Sequence, residues 1–351
     1  MDSLTQIVLG AAVGEAAIGK KVGNKAILWG AIGGTIPDLD VIGRSFLHPV
    51  DAMHFHRGMT HSIVFDLVMA PILGWLVYQI HKRKGEASWW DWTWLMFLAL
   101  FTHPLLDCFT TWGTQLLWPF TDKAIAWQTI FVVDPLYTVP FLVFVIWAMF
   151  KKRTDPMRWR LNTIGLVVSS LYLAFTVVNK QRANSVFEAS MAEQNIEYSR
   201  YSTRPAPLQN FLWSVNAETD SGYVTGYHSF FDEDNHVNFL EYRKHHKLLE
   251  PWADHDKTQL LLHITQDWYT VRPRGDSLVV NDLRFGTMTG WTRSEDFVFS
   301  TLMWEENGEL KFRQQQSRDV PEGFLKLFFG RVRGQRPEPA ALDPDTWEPA
   351  P

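Results

Sequence analysis

"HFHRGMTHSIVFDLVMAPILGWLVYQI" (residues 54–80) joins a polar, histidine-rich head to a long apolar run. The head holds His54, His56, Arg57 and His61 within nine residues. From Ile63 to Ile80 the run is broken only by Asp66 and Gln79, and it carries one proline, Pro71. That length approaches the ~20 residues needed to cross a bilayer core. The stretch therefore reads as a membrane helix with imidazoles and a guanidinium gathered at its mouth.

The rest of the first half continues in the same character. Apolar segments at 92–110, 136–150 and 160–178 read as further spans. Two shorter ones, 4–19 and 26–36, are rich in small residues and contain Gly10-x-x-x-Gly14 and Gly30-x-x-x-Gly34. That spacing lets membrane helices approach closely, so both read as helices inside a bundle, the second ending at Pro37. The expectation is an α-helical polytopic membrane bundle of about six helices over residues 1–180. Basic clusters at Lys20–Lys25, His81–Lys84 and 151–160 would then share the cytoplasmic side. On that topology the loops 37–61 and 108–135 and the chain after 179 face the periplasm or cell exterior. The opening residues lack a basic stretch and a cleavage site, so no signal peptide is expected.

Near residue 180 the composition becomes charged and mixed, on a chain of 351 residues with net charge −5. Runs such as "GYVTGYHSFF" (222–231), "QLLLHITQDWYTV" (259–271) and "FVFSTLMWEE" (297–306) read as strands. Turn signals at Asp234-Asn235, Arg274-Gly275 and Asn307-Gly308 separate such runs. This predicts a soluble, mainly β (α+β) C-terminal domain over 185–330. A proline-rich tail, 331–351, is expected to be disordered. No basic stripe marks a nucleic-acid surface, so no nucleic-acid partner is expected. The single cysteine, Cys108, excludes an intramolecular disulfide.

Several ionisable residues fall where a membrane protein avoids them. Asp38 and Asp40 stand in "PDLD". His103 and Asp107 stand in "THPLLD", inside an apolar segment, and Asp134 precedes Pro135 at the start of another. Residues four apart on a helix share a face, so His103 and Asp107 sit one turn from each other. An aspartate at the centre of a membrane helix costs ~2.5–3.5 kcal/mol on insertion scales; a metal ion or a packing hydrogen bond would offset that. His56 and His61, five apart, would diverge on one helix. They read instead as a loop residue and a first-turn residue pointing into one pocket, with Thr60 near the helix start and Arg57 between them able to bind an anion bidentately. The two aspartates of "PDLD" read as loop residues able to reach one metal or two. Taken singly, each group has a plain alternative: a helix lock, an interfacial loop, a turn. Taken together they form a His/carboxylate donor set suited to zinc or manganese, without thiolates. Such an ion can lower the pKa of a water toward ~7 for attack on a phosphorus or carbonyl centre. Asp134 is a candidate to orient that water or a ligand histidine.

In this order "MDSLTQIVLGAAVGEAAIG", "PDLD", "HRGMTHS" and "HPLLD" resemble the YdjM-type family of inner-membrane, metal-dependent hydrolases, over roughly residues 1–180. The resemblance implies an integral membrane protein of a bacterial inner membrane with a divalent-metal site. The same residues are similar to the helical zinc-dependent phospholipase C group and its nuclease relatives. That analogy makes Asp38, His56 or His61, His103 and Asp107 ligands. Within the resembling residues, roughly 1–180, the chain lacks that group's free N-terminal tryptophan and a second clear His-x-x-x-Asp pair, so one or two metals are expected rather than three.

The expected function is a membrane-bound metal-dependent hydrolase acting on a phosphoester of a lipid or envelope component. The site residues are Asp38, Asp40, His56, His61, His103 and Asp107 as metal ligands, with Arg57 and Asp134 assisting. The lipid bilayer is the expected partner, and the sequence does not set the oligomeric state. A divalent-metal transporter would instead need a polar route to the cytoplasmic side, for which only Glu15 and Asp66 are available. A non-catalytic scaffold presenting the β domain is the third reading.

Overall fold

The computed structural model describes residues 1–287, 289–290, 296–316 and 323–336, with Arg44 and Ser45 by backbone alone. Most of the expected tail, from residue 337 on, lies outside the described residues. The chain divides into two compact units. The first contains Met1–Phe46, Phe55–Val178 and Pro207–Gln209; the second contains Leu47–His54, Asn179–Ala206 and the chain from Asn210 onward.

The helical part runs α1 (Ser3–Val22), α2 (Asn24–Gly33), a 3-10 helix at Pro37–Phe46, α3 (Pro49–Phe55), a 3-10 turn at Met59–His61, α4 (Ile63–His81), α5 (Trp89–Asp107), α6 (Pro135–Met149) and α7 (Pro156–Glu193). Local chemistry sets the helix starts. Asp2 accepts from the Thr5 amide before α1, and Ser62 does the same for Phe65 before α4. Ser88 and Asp91 form a reciprocal capping box on α5. The small-residue spacing works as expected. A Cβ at Gly10 would overlap the Gly30 carbonyl, and one at Gly14 the Ala26 carbonyl, so α1 and α2 touch backbone to backbone. Gly74 serves α4 and α5 likewise, since a Cβ there would stand 2.6 Å from Thr93 Cα.

Six spans are not supported. Among the described residues two helical segments, Ile63–Lys84 and Pro156–Glu193, are long and apolar enough to cross a membrane. A third span arises if Asn24–Gly33 and Pro37–Gly43, bent by 43° at their break, act as one. The reasons are physical. α6 has only 15 residues, α1 carries Glu15, Lys20 and Lys21, and α5 combines Asp91, His103 and Asp107 with four tryptophans. With fewer crossings, the alternation that put the three basic clusters on one side no longer follows. The outward orientation derived from it therefore loses its basis.

The second unit holds two antiparallel four-stranded sheets, each in sequential order. One comprises β1 (Arg200–Pro205), β2 (Leu212–Glu218), β3 (Gly222–Ser229) and β4 (Phe239–Arg243). After α8 (Asp256–Thr265), the other comprises β5 (Tyr269–Arg274), β6 (Ser277–Asp282), β7 (Phe299–Glu306) and β8 (Glu309–Gln316), followed by α9 (Phe324–Val332). Each sheet has its own helix. Ala183, Phe187 and Met191 at the end of α7 pack on Trp213, Val215 and Ala217. Leu261 and Ile264 of α8 pack on Tyr269, Val271 and Val280. The stretch read as a strand at 259–271 is thus helical in its first half, because Leu261, Ile264 and Thr265 recur at helical spacing on the buried face. Asn307 and Gly308, both at positive φ, close the β7–β8 hairpin as their sequence predicts.

Candidate metal centre

Four side chains from three segments of the helical unit converge on one point. Asp38 enters from the start of the 3-10 helix that Pro37 opens. His61 comes from the short turn just before the Ser62 cap of α4, so the cap that starts the helix also fixes the histidine. His103 and Asp107 come from the last turns of α5. One donor atom from each lies within 4.8 Å of every other. His61 Nε2 is 3.2 Å from His103 Nε2, and each of these nitrogens is 3.5 Å from Asp38 Oδ1. Asp107 Oδ2 is 3.5 Å from His61 Nε2 and 3.6 Å from His103 Nε2. A tetrahedron with metal–ligand bonds of about 2.0–2.1 Å has edges of about 3.3–3.4 Å. The donors are thus already at coordination spacing.

The groups behind the donors orient them. His103 Nδ1 is 2.6 Å from the Gly34 carbonyl oxygen, to which it donates, so Nε2 presents its lone pair to the cluster. His61 Nδ1 is 3.1 Å from Thr60 Oγ1. Asp107 Oδ1 accepts from Gln6 Nε2 at 3.0 Å and from the Met1 amino group. Asp107 Oδ2, fully buried, receives no well-aligned hydrogen bond from the described residues; Arg57 Nε stands 3.2 Å from it, beside the two imidazoles at 3.5 and 3.6 Å. Buried carboxylate oxygens are normally satisfied. A cation among the four donors would satisfy this one, so the residues present fit a divalent metal.

The other expected residues have different places. Asp40 lies outside the four-donor group, with Oδ2 3.8 Å from His61 Nδ1. Its Oδ2 accepts from the Arg57 amide at 3.0 Å, and both its oxygens stand 3.2 Å from His56 Nδ1. Arg57 itself has a positive φ of 60°. His56 also packs against Trp112, outside the four-donor group. The Arg57 guanidinium is buried, with Nη1 donating to Thr110 Oγ1 at 2.7 Å. Asp134 caps α6, accepting from the Leu136 and Tyr137 amides and from the Tyr172 hydroxyl. His54 belongs to the second unit. Cys108, beside Asp107, is buried and stands outside the four-donor group. Gln6, Thr110 and the Gly34 carbonyl were missed by the reading of the sequence. Gln6 left a signal, a lone amide in an otherwise apolar stretch of α1; a backbone carbonyl leaves none.

The comparisons with known proteins follow the same residues. The family model described as YdjM inner membrane protein matches residues 1–183, more than half of the 351. The chain is similar to the uncharacterized protein YfhP of Bacillus subtilis (strain 168). They are 30% identical over 155 residues, 42% of this chain and 46% of that protein. It is also similar to the inner membrane protein YbcI of Escherichia coli (strain K12), 33% identical over 132 residues, 35% of this chain and 74% of that protein. The chain thus spans under half of the first relative and about three quarters of the second. No solved structure matches it. All four donor residues lie inside the matched segment, and the chain belongs to the YdjM inner membrane protein family.

Proposed function

We propose that this protein is a membrane-bound, metal-dependent hydrolase of a phosphoester carried by a lipid or envelope component. The observation that carries this reading is the donor cluster: two imidazoles and two carboxylates at coordination spacing, one carboxylate oxygen otherwise unsatisfied. Asp38, His61, His103 and Asp107 would hold the ion, zinc or manganese by donor type. A divalent cation there supplies a polarised ester oxygen and a water acidic enough to attack near pH ~7. The chain's own residues do the rest. Gly34 holds the His103 tautomer, and Gln6 holds the outer oxygen of Asp107. Buried Arg57 places a positive charge beside the centre, which favours an anionic substrate. Asp38 is the donor nearest solvent, with 23% of its side chain exposed, and marks the open side. Val41, Ile42 and Phe46 on the same 3-10 helix are exposed apolar residues, a rim suited to an amphiphilic substrate.

A second reading is a purely structural centre, and the completeness of the set favours it, since four protein donors close a tetrahedral zinc site. Transport is less well supported. Glu15, one of its two candidate route residues, is buried in a bidentate pair with Arg158, with oxygens 2.6 and 2.5 Å from the guanidinium nitrogens.

The test is elemental analysis of detergent-purified protein, wild type beside His61→Ala/His103→Ala, followed by assays on phosphodiester and lipid phosphoester substrates. Stoichiometric metal with turnover, both lost in the variant, is the expected result. Metal without turnover supports the structural centre. A well-folded wild type that takes up no added metal overturns both.

A further inference from the structure

The second unit holds a buried cation within its first sheet. Cross-strand partners in an antiparallel pair share a face, and Arg204, Ser214 and Tyr227 are partners across β1, β2 and β3. They form one row beside a second polar row, Ser202, Asn216 and Thr225. Trp213 and Val215, at alternate positions, point the other way into the core with α7. The turn after β6 lies over the polar face. There the Asn216 amide donates to the Leu283 carbonyl at 2.7 Å, and the Thr225 hydroxyl donates to Asn216 at 3.0 Å. Lys180 lies on the α7 side of the sheet, donating to the Thr203 carbonyl at 2.8 Å.

Arg204 differs from the other guanidinium of this layer. Arg284 is paired: its Nε and Nη2 donate to the two oxygens of Asp282 at 3.0 and 2.7 Å. Arg204 is only 5% exposed, and its Nη2 is buried without a hydrogen-bond partner among the described residues. A guanidinium stays charged in proteins, and a buried charge is normally paired. Burial pushes the Arg204 pKa down and Arg284 adds to that, against opposing pulls from Tyr227 and Asp282. Among the described residues two guanidiniums thus share one carboxylate, and one positive charge is left over. The backbone keeps side chains off this charge. Gly286 has a φ of 69°, and a Cβ there would stand 3.0 Å from Arg204 Nη2 and 3.2 Å from Tyr227 Oη. Both polar atoms therefore face the place a side chain would take. Thr287, next in the chain, has a buried hydroxyl that also lacks a partner among the described residues.

We propose that Arg204 anchors a binding site for a small carboxylate anion, between β1 and the turn at Gly286. Charge, shape and space set the ligand class. One surplus positive charge calls for one negative charge, and the carboxylate of Asp282 repels a phosphate dianion. A carboxylate is planar and accepts two parallel N–H···O bonds from a guanidinium. The slight exposure of Arg204 admits only a small group. The proposal does not depend on the metal centre or on any activity.

The test is equilibrium dialysis of the detergent-solubilised full chain against radiolabelled acetate at constant ionic strength. Wild type should bind acetate saturably, at a single class of site, and phosphate should compete weakly. Arg204→Met should lose this binding. Arg204→Lys keeps the charge without the fork and should weaken it several-fold. His61→Ala/His103→Ala should bind acetate as wild type does, which separates the site from the metal centre. If Arg204→Met fails to fold, the wild-type isotherm and Arg204→Lys decide. A wild type that binds no acetate saturably overturns the proposal, because the charge of Arg204 is then met within the chain. Binding retained in Arg204→Met, unchanged in Arg204→Lys, or lost in His61→Ala/His103→Ala also overturns it, because the anion then sits elsewhere. Phosphate that displaces acetate at equal concentration overturns the assignment to a carboxylate.

Discussion

Among the described residues two buried His-x-x-x-Asp pairs have opposite fates. In α5, His103 and Asp107 meet at 3.6 Å; at the end of β3, His228 and Asp232 meet at 3.3 Å. All four side chains are buried. Around Asp232 both oxygens are hydrogen-bonded: Arg331 donates to each, and the Ser229 amide donates to Oδ2 at 3.0 Å. Around Asp107 one oxygen is left over, and it faces two further donors, His61 and Asp38. The first pair is a lock between a strand end and a helix. The second is half of a coordination shell. Identical spacing therefore says little until the third and fourth partners are known. Both carboxylates have a guanidinium beside them, but Arg331 hydrogen-bonds both oxygens of Asp232, whereas Arg57 Nε approaches Asp107 Oδ2 without a well-aligned hydrogen bond and leaves it able to bind a cation.

The largest expected contrast is in metal content. His61→Ala/His103→Ala should lose bound metal altogether, more than the ~10–100-fold that removal of an outer-shell partner costs. His228→Ala should leave the metal content at the wild-type level. Elemental analysis of the two variants side by side checks this, and metal loss in His228→Ala would erase the distinction between the pairs.

Stability should show the reverse pattern. Asp232→Ala strands Arg331 in a buried site, and breaking such a pair costs ~3–5 kcal/mol. Denaturant unfolding followed by tryptophan fluorescence should register that loss with metal content unchanged. A variant as stable as wild type would mean that α9 is held by its apolar core alone.

Asp40→Ala sharpens the comparison from the metal side. It removes the acceptor for the Arg57 amide and the partner of His56 without touching a donor atom. Metal affinity should fall by about tenfold, the lower end for an outer-shell partner. An unchanged dissociation constant in a competition titration would show that the donors hold their positions unaided.

The smallest effect concerns pH. Burial opposes the charge on Asp232, but hydrogen bonds from His228, Arg331 and the Ser229 amide overcome it, and the carboxyl is held below the usual range. A depressed folded pKa contributes stability that is fully present above the unfolded value of ~3.9 and fades as pH falls through the folded one. In Asp232→Asn the acid limb of the stability curve should therefore be shallower than in wild type below pH ~4. Parallel limbs from thermal melts at stepped pH would show that Asp232 does not carry this dependence.

These cases show how far residue types and spacing reach. His103 and Asp107 were legible because a helix puts residues four apart on one face. The hairpin at Asn307-Gly308 and the close packing of α1 on α2 were legible because positive φ and a missing Cβ are properties of single residues. The number of spans was not. Length and mean polarity blur when α5 mixes tryptophans with acids and when α2 breaks at Gly34–Pro37. The helix α8 hid inside a run of strand-like residues because its apolar face covers only a few positions.

By itself the sequence determined a two-part chain, a membrane-associated helical half before a strand-rich half, and the residue types of a His/carboxylate site. Those follow from hydropathy, local propensity and donor chemistry, which act over a few residues at a time. Only the tertiary structure decided that Asp38 of "PDLD" meets His61 at Nε2 and Asp40 at Nδ1, that His56 turns to Asp40, that Glu15 answers Arg158, and that His228–Asp232 is closed by Arg331. Each depends on segments brought together from distant parts of the chain. A buried charge takes whichever partner the packing places within about 3.5 Å, and no local pattern encodes that distance.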